Sequence, residues 1–184
     1  MSRRLKRRTA VTRAENASEE FRYFFDELST LFEKEVSPSV CLAYMFFRLE
    51  QGQNNALYCG LVKNHQVDKE IAISAIDGTH MTRKEFREFY KNIFGRHVPK
   101  DATERIVESE KIRDRLMHGK QVKDSEMYGA IVDVVDYVEA LNEHVSELAG
   151  VRPFGPTRGF KGAGKSLPKS TSRLVVKGLD FTIG

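Results

Sequence analysis

The segment SEMYGAIVDVVDYVEALNEHVSELA, residues 125–149, decides the fold class of this chain. Its large apolar residues recur in a 3-4-3-4-3 pattern, the spacing that lines one side of an α-helix. They are Ile131, Val134, Val138, Leu141, Val145 and Leu148. The spacing is typical of a helix that packs in an antiparallel bundle or across a dimer contact, and the sequence leaves both interpretations open. Gly150 and Pro153 predict that this helix stops after residue 149.

The preceding segments also predict helices. Apolar residues between Phe21 and Phe32 recur at steps of three and four, and residues 38–49 are apolar on nearly every side. The predicted helix boundaries are Ser18, Pro38, Thr82 with Glu85, Gly95, and Asp101 with Glu104. No run within 15–149 alternates with a period of two, so no sheet is predicted. The sequence therefore predicts an all-α, up-and-down bundle of four or five main helices.

Basic residues are concentrated at both ends of the chain. The net charge is +4, yet residues 1–14 hold six basic groups and no acid, and residues 150–184 hold seven basic groups against Asp180 alone. The middle of the chain is therefore acidic. Such ends are typical of a polyanion-binding protein and equally of solubilising, disordered tails. The predicted organisation is a flexible tail over 1–14, a helical domain over 15–150, and a Gly/Pro/Lys-rich tail over 151–184 that ends in a short extended segment from 174 to 183.

The composition indicates a protein of a reducing compartment. The longest apolar stretches are well short of the ~20 residues that span a membrane. Cys41 and Cys59 show neither a metal-binding spacing nor a disulfide pattern, which favours the cytoplasm. No metal site is predicted, because the histidines outside the motif described next lack a metal-ligand spacing. These are His65, His80, His97 and His144.

Residues 113–119, RDRLMHG, are the part of the chain in which chemistry is most strongly indicated. In a continuous helix, five residues turn by about 500°, which leaves Arg113 and His118 roughly 140° apart. The two side chains converge on one substrate only if the helix ends near Met117, which Gly119 as a left-handed cap would allow. The alternative is that they meet across a two-fold axis.

This pattern resembles the R-[polar]-x3-H signature of HEPN domains, small helical bundles of which many cleave RNA without a metal. The resemblance implies a homodimer with a composite site, in which the ribose 2′-hydroxyl attacks the adjacent phosphate to leave a 2′,3′-cyclic phosphate and a 5′-hydroxyl. It assigns His118 as general base or acid, and Arg113 as the cation that stabilises charge on the phosphate. Asp114 takes the polar second position and orients one of these two. No cofactor is implied.

Cations near the motif and at both ends are the predicted RNA contacts. They are Arg115, Lys120, Arg3, Arg4, Arg7, Arg8, Lys161 and Lys165. The resemblance further implies a toxin or an anti-phage defence effector with a neutralising or regulatory protein partner. The alternative function is a non-catalytic adaptor that dimerises through residues 125–149 and binds nucleic acid or an acidic partner through its basic ends. A DNA-binding regulator has less support, because no helix-turn-helix with a basic recognition helix is found.

Residues 159–166, GFKGAGKS, match the P-loop string G-x4-G-K-S. A P-loop functions between a buried strand and a helix whose N-terminus receives the phosphates. Residues 150–158 do not have the pattern of such a strand, Pro168 follows early, and the remaining chain is too short for a parallel sheet. The sequence therefore predicts a Gly/Lys segment that touches phosphates non-specifically, and not a nucleotide-hydrolysing site.

Overall fold

A computed structural model describes residues 7–79, 81–157 and 160–182 of the chain. Within these residues the secondary structure consists of nine α-helices without a β-strand, which confirms the predicted all-α class. The helices are α1 (Arg7–Glu15), α2 (Glu19–Phe24), α3 (Leu28–Glu33), α4 (Pro38–Asn64), α5 (Lys69–Asp77), α6 (Arg83–Phe94), α7 (Lys100–Met117), α8 (Asp124–Ala149) and α9 (Lys169–Gly178). The predicted RNA contacts Arg3 and Arg4 lie outside the described residues.

The described chain divides into two compact units. Unit 1 consists of residues 7–51, 99–142 and 154–156, and unit 2 of residues 52–79, 81–98, 143–153, 157 and 160–182. The two longest helices, α4 and α8, each contribute residues to both units.

Hydrogen bonds confirm several of the predicted helix boundaries. The Ser18 side chain accepts the N–H of Phe21 at 3.2 Å and so caps α2. Thr82 and Glu85 form the predicted capping box of α6, and Gly95 ends that helix with a φ of 65°. These signals are local, since each pairs a side chain with backbone groups of the next turn. They were therefore readable from the sequence.

Two other boundaries differ by one residue. Helix α7 begins at Lys100, not at Asp101, because Pro99 occupies the N-cap and its carbonyl accepts the N–H of Thr103 at 3.0 Å. Helix α8 begins at Asp124, one residue before its predicted start.

The apolar seam of α8 is buried within the single chain. Its first five residues have a relative exposure of 0%. They are Ile131, Val134, Val138, Leu141 and Val145. Of the two interpretations of the spacing, packing inside the chain is therefore the one that the structure supports. The sixth residue, Leu148, is half-buried, and dimerisation through residues 125–149, as expected for the adaptor, stays a prediction.

The N-terminal extension predicted to be flexible is a helix over its described part. Helix α1 packs against α3 and buries Ala10 and Ala14. Arg13 Nε donates to Asp136 Oδ1 of α8 at 2.7 Å, and Arg105 donates to the second oxygen of the same carboxylate at 2.9 Å. The prediction was wrong here because only small apolar residues anchor this helix, and its ionic partner is far away in sequence.

Unit 1 has an aromatic core that includes a residue from the predicted C-terminal tail. Phe21 and Phe25 stack with ring centroids 4.5 Å apart, and the ring of Phe154 lies 5.4 Å from that of Phe24. The backbone of Phe154 is held by the side chain of Asn142, which donates to its carbonyl at 3.2 Å and accepts its N–H at 2.9 Å. Both residues have 0% exposure, so the chain at 154 is a fixed part of the core.

In unit 2, α6 lies very close to α4 at Gly60. A Cβ atom on Gly60 would be 2.4 Å from Cγ2 of Ile93 and 2.7 Å from Cζ of Phe94. Real side chains do not approach this closely. Glycine is therefore required at this position for these two helices to pack as they do.

A hydrogen bond between the buried Tyr90 and the half-buried His144 joins α6 to α8 in unit 2. The Tyr90 hydroxyl is hydrogen-bonded to Nδ1 of His144 at 2.9 Å, and Tyr90 has 0% exposure. Burial lowers the pKa of His144 below its usual value of 6.5, with opposing smaller effects from Glu147, which raises the pKa, and Arg96, which lowers it. The neutral imidazole is thus the form that the fold favours.

This lowered pKa predicts a pH-dependent stability. Since the folded state binds fewer protons at His144 than the unfolded chain, its contribution is fully present above pH 6.5 and is lost as the pH falls through the lower, folded pKa. We expect the free energy of unfolding to fall from pH 7 to pH 5 more steeply in the wild type than in His144→Gln, measured by urea unfolding. The exposed His97→Ala serves as control and should follow the wild type. Parallel profiles for the wild type and His144→Gln would contradict the prediction.

The extended segment predicted for residues 174–183 is wrong for residues 174–178, which belong to α9. Ser172 and Val176, one turn apart, both have 0% exposure, and α9 packs against α5. The Ser172 hydroxyl accepts the backbone N–H of Asp68 at 2.9 Å. Tertiary contacts of this kind override the weak strand preference of the Leu-Val-Val run.

Each unit contains one buried cysteine on α4. Cys41 lies in unit 1 with 1% exposure and Cys59 in unit 2 with 0%. Burial raises the pKa of both thiols, to about 12 for Cys59. Among the described helices, none combines the length and the apolar character that crossing a membrane requires.

Candidate functional site

Helix α7 ends inside the RDRLMHG motif. Its last residue is Met117, and His118 is the C-cap, with its backbone N–H bonded to the carbonyl of Asp114 at 3.0 Å. Gly119 has a φ of 68° and donates to the carbonyl of Leu116 at 2.9 Å. The helix end at Met117 and the left-handed Gly119 are both as predicted. The chain therefore leaves the helical path at Gly119, and no hydrogen bond or ion pair joins the side chains of Arg113 and His118.

Arg113 is fixed beside α4 in unit 1. Its guanidinium lies 3.6 Å from Oε1 of Glu50 and 3.4 Å from Oδ1 of Asp114. The guanidinium carbon is 5.8 Å from the centre of the Phe46 ring, and the side chain is 29% exposed. An arginine over an aromatic ring and between two carboxylates has its charge oriented and partly desolvated.

Asp114 was predicted to orient either Arg113 or His118. The structure places its carboxylate beside Arg113, and its side chain remains 49% exposed. The sequence did not point to Glu50, the second carboxylate at Arg113. Glu50 follows the apolar stretch of α4, and only the packing of α7 beside α4 shows what it contacts.

His118 and Lys120 are both exposed. Neither side chain forms a hydrogen bond or an ion pair with another described residue, so both are open to a ligand. The end of α7 beside His118 is capped by the backbone that follows: the carbonyl of Arg115 accepts the N–H of Lys120 at 2.9 Å, and that of Leu116 accepts the N–H of Gly119 at 2.9 Å. The imidazole of His118 is therefore held on an ordered turn and faces solvent.

Arg115 is occupied by contacts within the chain. It donates to Oε1 of Glu126 at 2.9 Å and to the carbonyl of Gln121 at 3.1 Å. Glu126 also accepts the backbone N–H of Lys123 at 3.0 Å, and this bond, followed by Arg115, lowers the pKa of the Glu126 carboxyl. Arg115 thus fixes the connection between α7 and α8. A phosphate would compete with these partners for Arg115.

The remaining predicted RNA contacts are distributed over both units. Arg7 is half-buried and donates to the carbonyl of Phe32, whereas Arg8 is exposed on α1. Lys161 and Lys165 are exposed in unit 2 and have no ion-pair partner among the described residues. The structure therefore leaves Arg8, Lys161 and Lys165 open to a ligand, while Arg7 has a role in the fold.

A cavity of about 270 Å³ lies among the short helices of unit 1. Its lining combines apolar residues, Phe21, Phe25, Leu28 and Phe32 among them, with the charged residues Arg7, Glu15, Arg22 and Glu33. It includes none of the motif residues. We therefore place the candidate site at the end of α7 and not in this cavity.

The described part of the P-loop-like segment is attached to the region around the end of α4. Ala163 donates to the carbonyl of Val62 at 3.3 Å, and Leu167 donates to that of Gln66 at 2.8 Å. Gly162 lies against the Val62 side chain. In the described chain no strand precedes this segment and the next helix begins only at Lys169, whereas a P-loop lies directly between a strand and a helix. Gly159, the first residue of the string, lies outside the described residues.

The described residues include no group of three or more His, Cys, Asp or Glu side chains arranged to hold a metal ion. No protein-family model, no curated protein and no solved structure matches this chain.

Proposed function

We propose that this chain is a metal-independent endoribonuclease of the HEPN type, with Arg113, Asp114 and His118 at its centre. The observation that supports this best is the end of α7. An exposed histidine follows the last helical residue, and an oriented arginine lies five residues before that histidine on the same helix.

In the proposed reaction, the ribose 2′-oxygen forms a bond to phosphorus and the bond from phosphorus to the 5′-oxygen breaks. One imidazole takes the proton of the 2′-hydroxyl, and a protonated imidazole gives a proton to the leaving 5′-oxygen. The products are a 2′,3′-cyclic phosphate and a 5′-hydroxyl. Two protomers in a homodimer would each supply one His118.

Arg113 is suited to stabilise the charge that develops on the phosphate. Its contacts with Glu50 and Asp114, at 3.6 and 3.4 Å, are longer than the roughly 2.7–2.9 Å of strong charge-assisted hydrogen bonds. The two carboxylates orient the guanidinium without holding all of its five N–H groups. It is therefore able to donate to phosphate oxygens when RNA binds.

The test is a cleavage assay on several single-stranded RNAs in EDTA, with analysis of the product ends. Wild-type protein should leave 2′,3′-cyclic phosphate and 5′-hydroxyl ends, and the double variant Arg113→Ala/His118→Ala should leave the RNA intact. Abolition of cleavage by EDTA, or 5′-phosphate ends, would refute the proposed chemistry. Intact RNA with the wild-type protein would favour the adaptor.

The adaptor remains the second candidate because one face of α4 is apolar and exposed. Val40 and Phe47, seven residues apart, are 48% and 59% exposed, and Ala43 between them is also exposed. Residues at this spacing lie on the same side of a helix. Exposed apolar faces of this kind are typical of protein-binding surfaces. A role as a toxin or defence effector with a regulatory partner belongs to the ribonuclease proposal through the resemblance alone.

A further inference from the structure

The last described helix presents a row of cations to solvent. Lys169, Arg173 and Lys177 follow one another at four-residue steps along α9, and all three are exposed. Four residues turn an α-helix by about 400°, so the three side chains share one side and advance by about 6 Å at each step. We call these three residues the α9 stripe.

Helix α9, which carries the α9 stripe, is packed firmly against the rest of unit 2. Ser172 and Val176 are buried against the rest of unit 2, and Ser172 accepts the N–H of Asp68. Directly after α9, the Phe181 ring stacks on that of Phe89 with centroids 4.3 Å apart. The stripe is therefore presented by an ordered surface, whereas the sequence had predicted a flexible tail.

Two of the three cations have no ionic partner in the described chain. Lys169 pairs with Glu70, but Arg173 and Lys177 form no ion pair with a described residue. Asp180, the nearest acid along the sequence, accepts from the side chain of Asn92 at 3.2 Å. Two uncompensated cations one turn apart on an ordered helix attract a polyanion, whose bound counterions are released on binding.

We propose that the α9 stripe binds the phosphate backbone of single-stranded RNA. The choice of RNA over other polyanions rests on the ribonuclease proposal, whereas binding through α9 rests on the cations of α9 itself. The stripe would hold RNA independently of sequence, since phosphates carry no base information.

The fold disfavours a membrane surface as the ligand. A helix that lies on a bilayer inserts its apolar face among the lipid chains. In α9 that face is already buried within unit 2, where Val176 has 0% exposure. Leu174, with 71% exposure, is the only large apolar side chain that the described part of α9 exposes. The free surface of the helix is thus mainly ionic.

The test measures RNA binding separately from cleavage. Full-length protein carrying His118→Ala would be titrated with a fluorescent single-stranded RNA in EDTA over a range of salt concentrations. Addition of Arg173→Gln and Lys177→Gln should weaken binding roughly tenfold at low salt, and should reduce the slope of log K against log salt by about 1.4, or about 0.7 for each lost contact. The charge-preserving pair Arg173→Lys and Lys177→Arg should restore binding and its salt dependence.

The matched control removes the same charge elsewhere in unit 2. Lys84 and Lys91 are exposed on α6, and Lys84→Gln with Lys91→Gln should change the slope much less. The proposal would be overturned if both double variants lost RNA affinity equally, or if neither variant lost affinity. It would also be overturned if the α9 variant bound RNA normally but lost binding to phosphatidylserine vesicles.

The two proposals fail in distinguishable ways. If the wild type leaves RNA intact but binding still depends on the α9 stripe, the ribonuclease proposal fails and the stripe stands. If the wild type cleaves RNA and the α9 variant binds RNA with unchanged affinity, the proposal for the α9 stripe is refuted and the ribonuclease proposal stands. The thermal unfolding midpoint of each variant should match that of the wild type, because the substituted side chains are exposed.

Discussion

Replacing His118 with alanine is expected to slow RNA cleavage by about 100-fold or more and to leave the stability of the protein unchanged. General acid–base catalysis by a positioned side chain contributes roughly 10²–10⁴-fold to a rate, and the proposed mechanism uses His118 for both proton transfers. The side chain is exposed and has no ionic or hydrogen-bonded partner among the described residues, so its removal leaves no buried group unsatisfied. Catalysis and folding are therefore separable at this position.

The measurement is a single-turnover cleavage rate on one RNA in EDTA, with thermal unfolding of the same samples. His97→Ala is the matched control, because His97 is also exposed but lies outside the motif. A wild-type rate in His118→Ala would remove the histidine from the mechanism. An equal loss of cleavage rate in both variants would show that the measured cleavage does not depend on the motif.

Replacing Phe154 with alanine is expected to destabilise the protein by about 3–5 kcal/mol, the usual cost of removing a fully buried phenylalanine. Its ring lies within about van der Waals contact of the aromatic core, with centroids 5.4 and 6.5 Å from those of Phe24 and Phe25. The Asn142 side chain holds the backbone at 154, which limits how far the chain can move to fill the cavity. Because the chain around this cavity relaxes little, most of the expected loss of stability should be observed.

Urea unfolding of Phe154→Ala and Phe47→Ala would test this prediction. Phe47 is in the same unit with 59% exposure, so its replacement should cost less than about 1 kcal/mol. A loss of similar size in both variants, or a small loss in Phe154→Ala, would show that residue 154 is not part of the core.

The features that the sequence predicted well depend on neighbours in the chain. The capping box of Thr82 and Glu85, the cap at Ser18, and the left-handed Gly95 and Gly119 each involve groups within one helical turn. The burial of the α8 seam followed from its periodicity. Such short-range signals are present in the sequence whatever the rest of the chain does.

The features that could not be predicted from the sequence depend on contacts between residues that are far apart in the chain. Phe154 lies in a stretch rich in glycine and proline, and only the aromatic rings of Phe24 and Phe25 explain its burial. Helix α9 contains a strand-like Leu-Val-Val run and is stabilised by α5, about a hundred residues earlier. At the site, the sequence predicted the helix end at His118, but not that Glu50 of α4 would lie beside Arg113.

The two cysteines make the opening of each unit separately observable. A thiol reacts with an alkylating reagent only when solvent reaches it and its proton is lost, and burial opposes both for Cys41 and Cys59. Because one thiol lies in each unit, brief alkylation followed by peptide mass spectrometry would report which unit admits reagent first. The two native thiols can thus report the local opening of each unit without the introduction of a label.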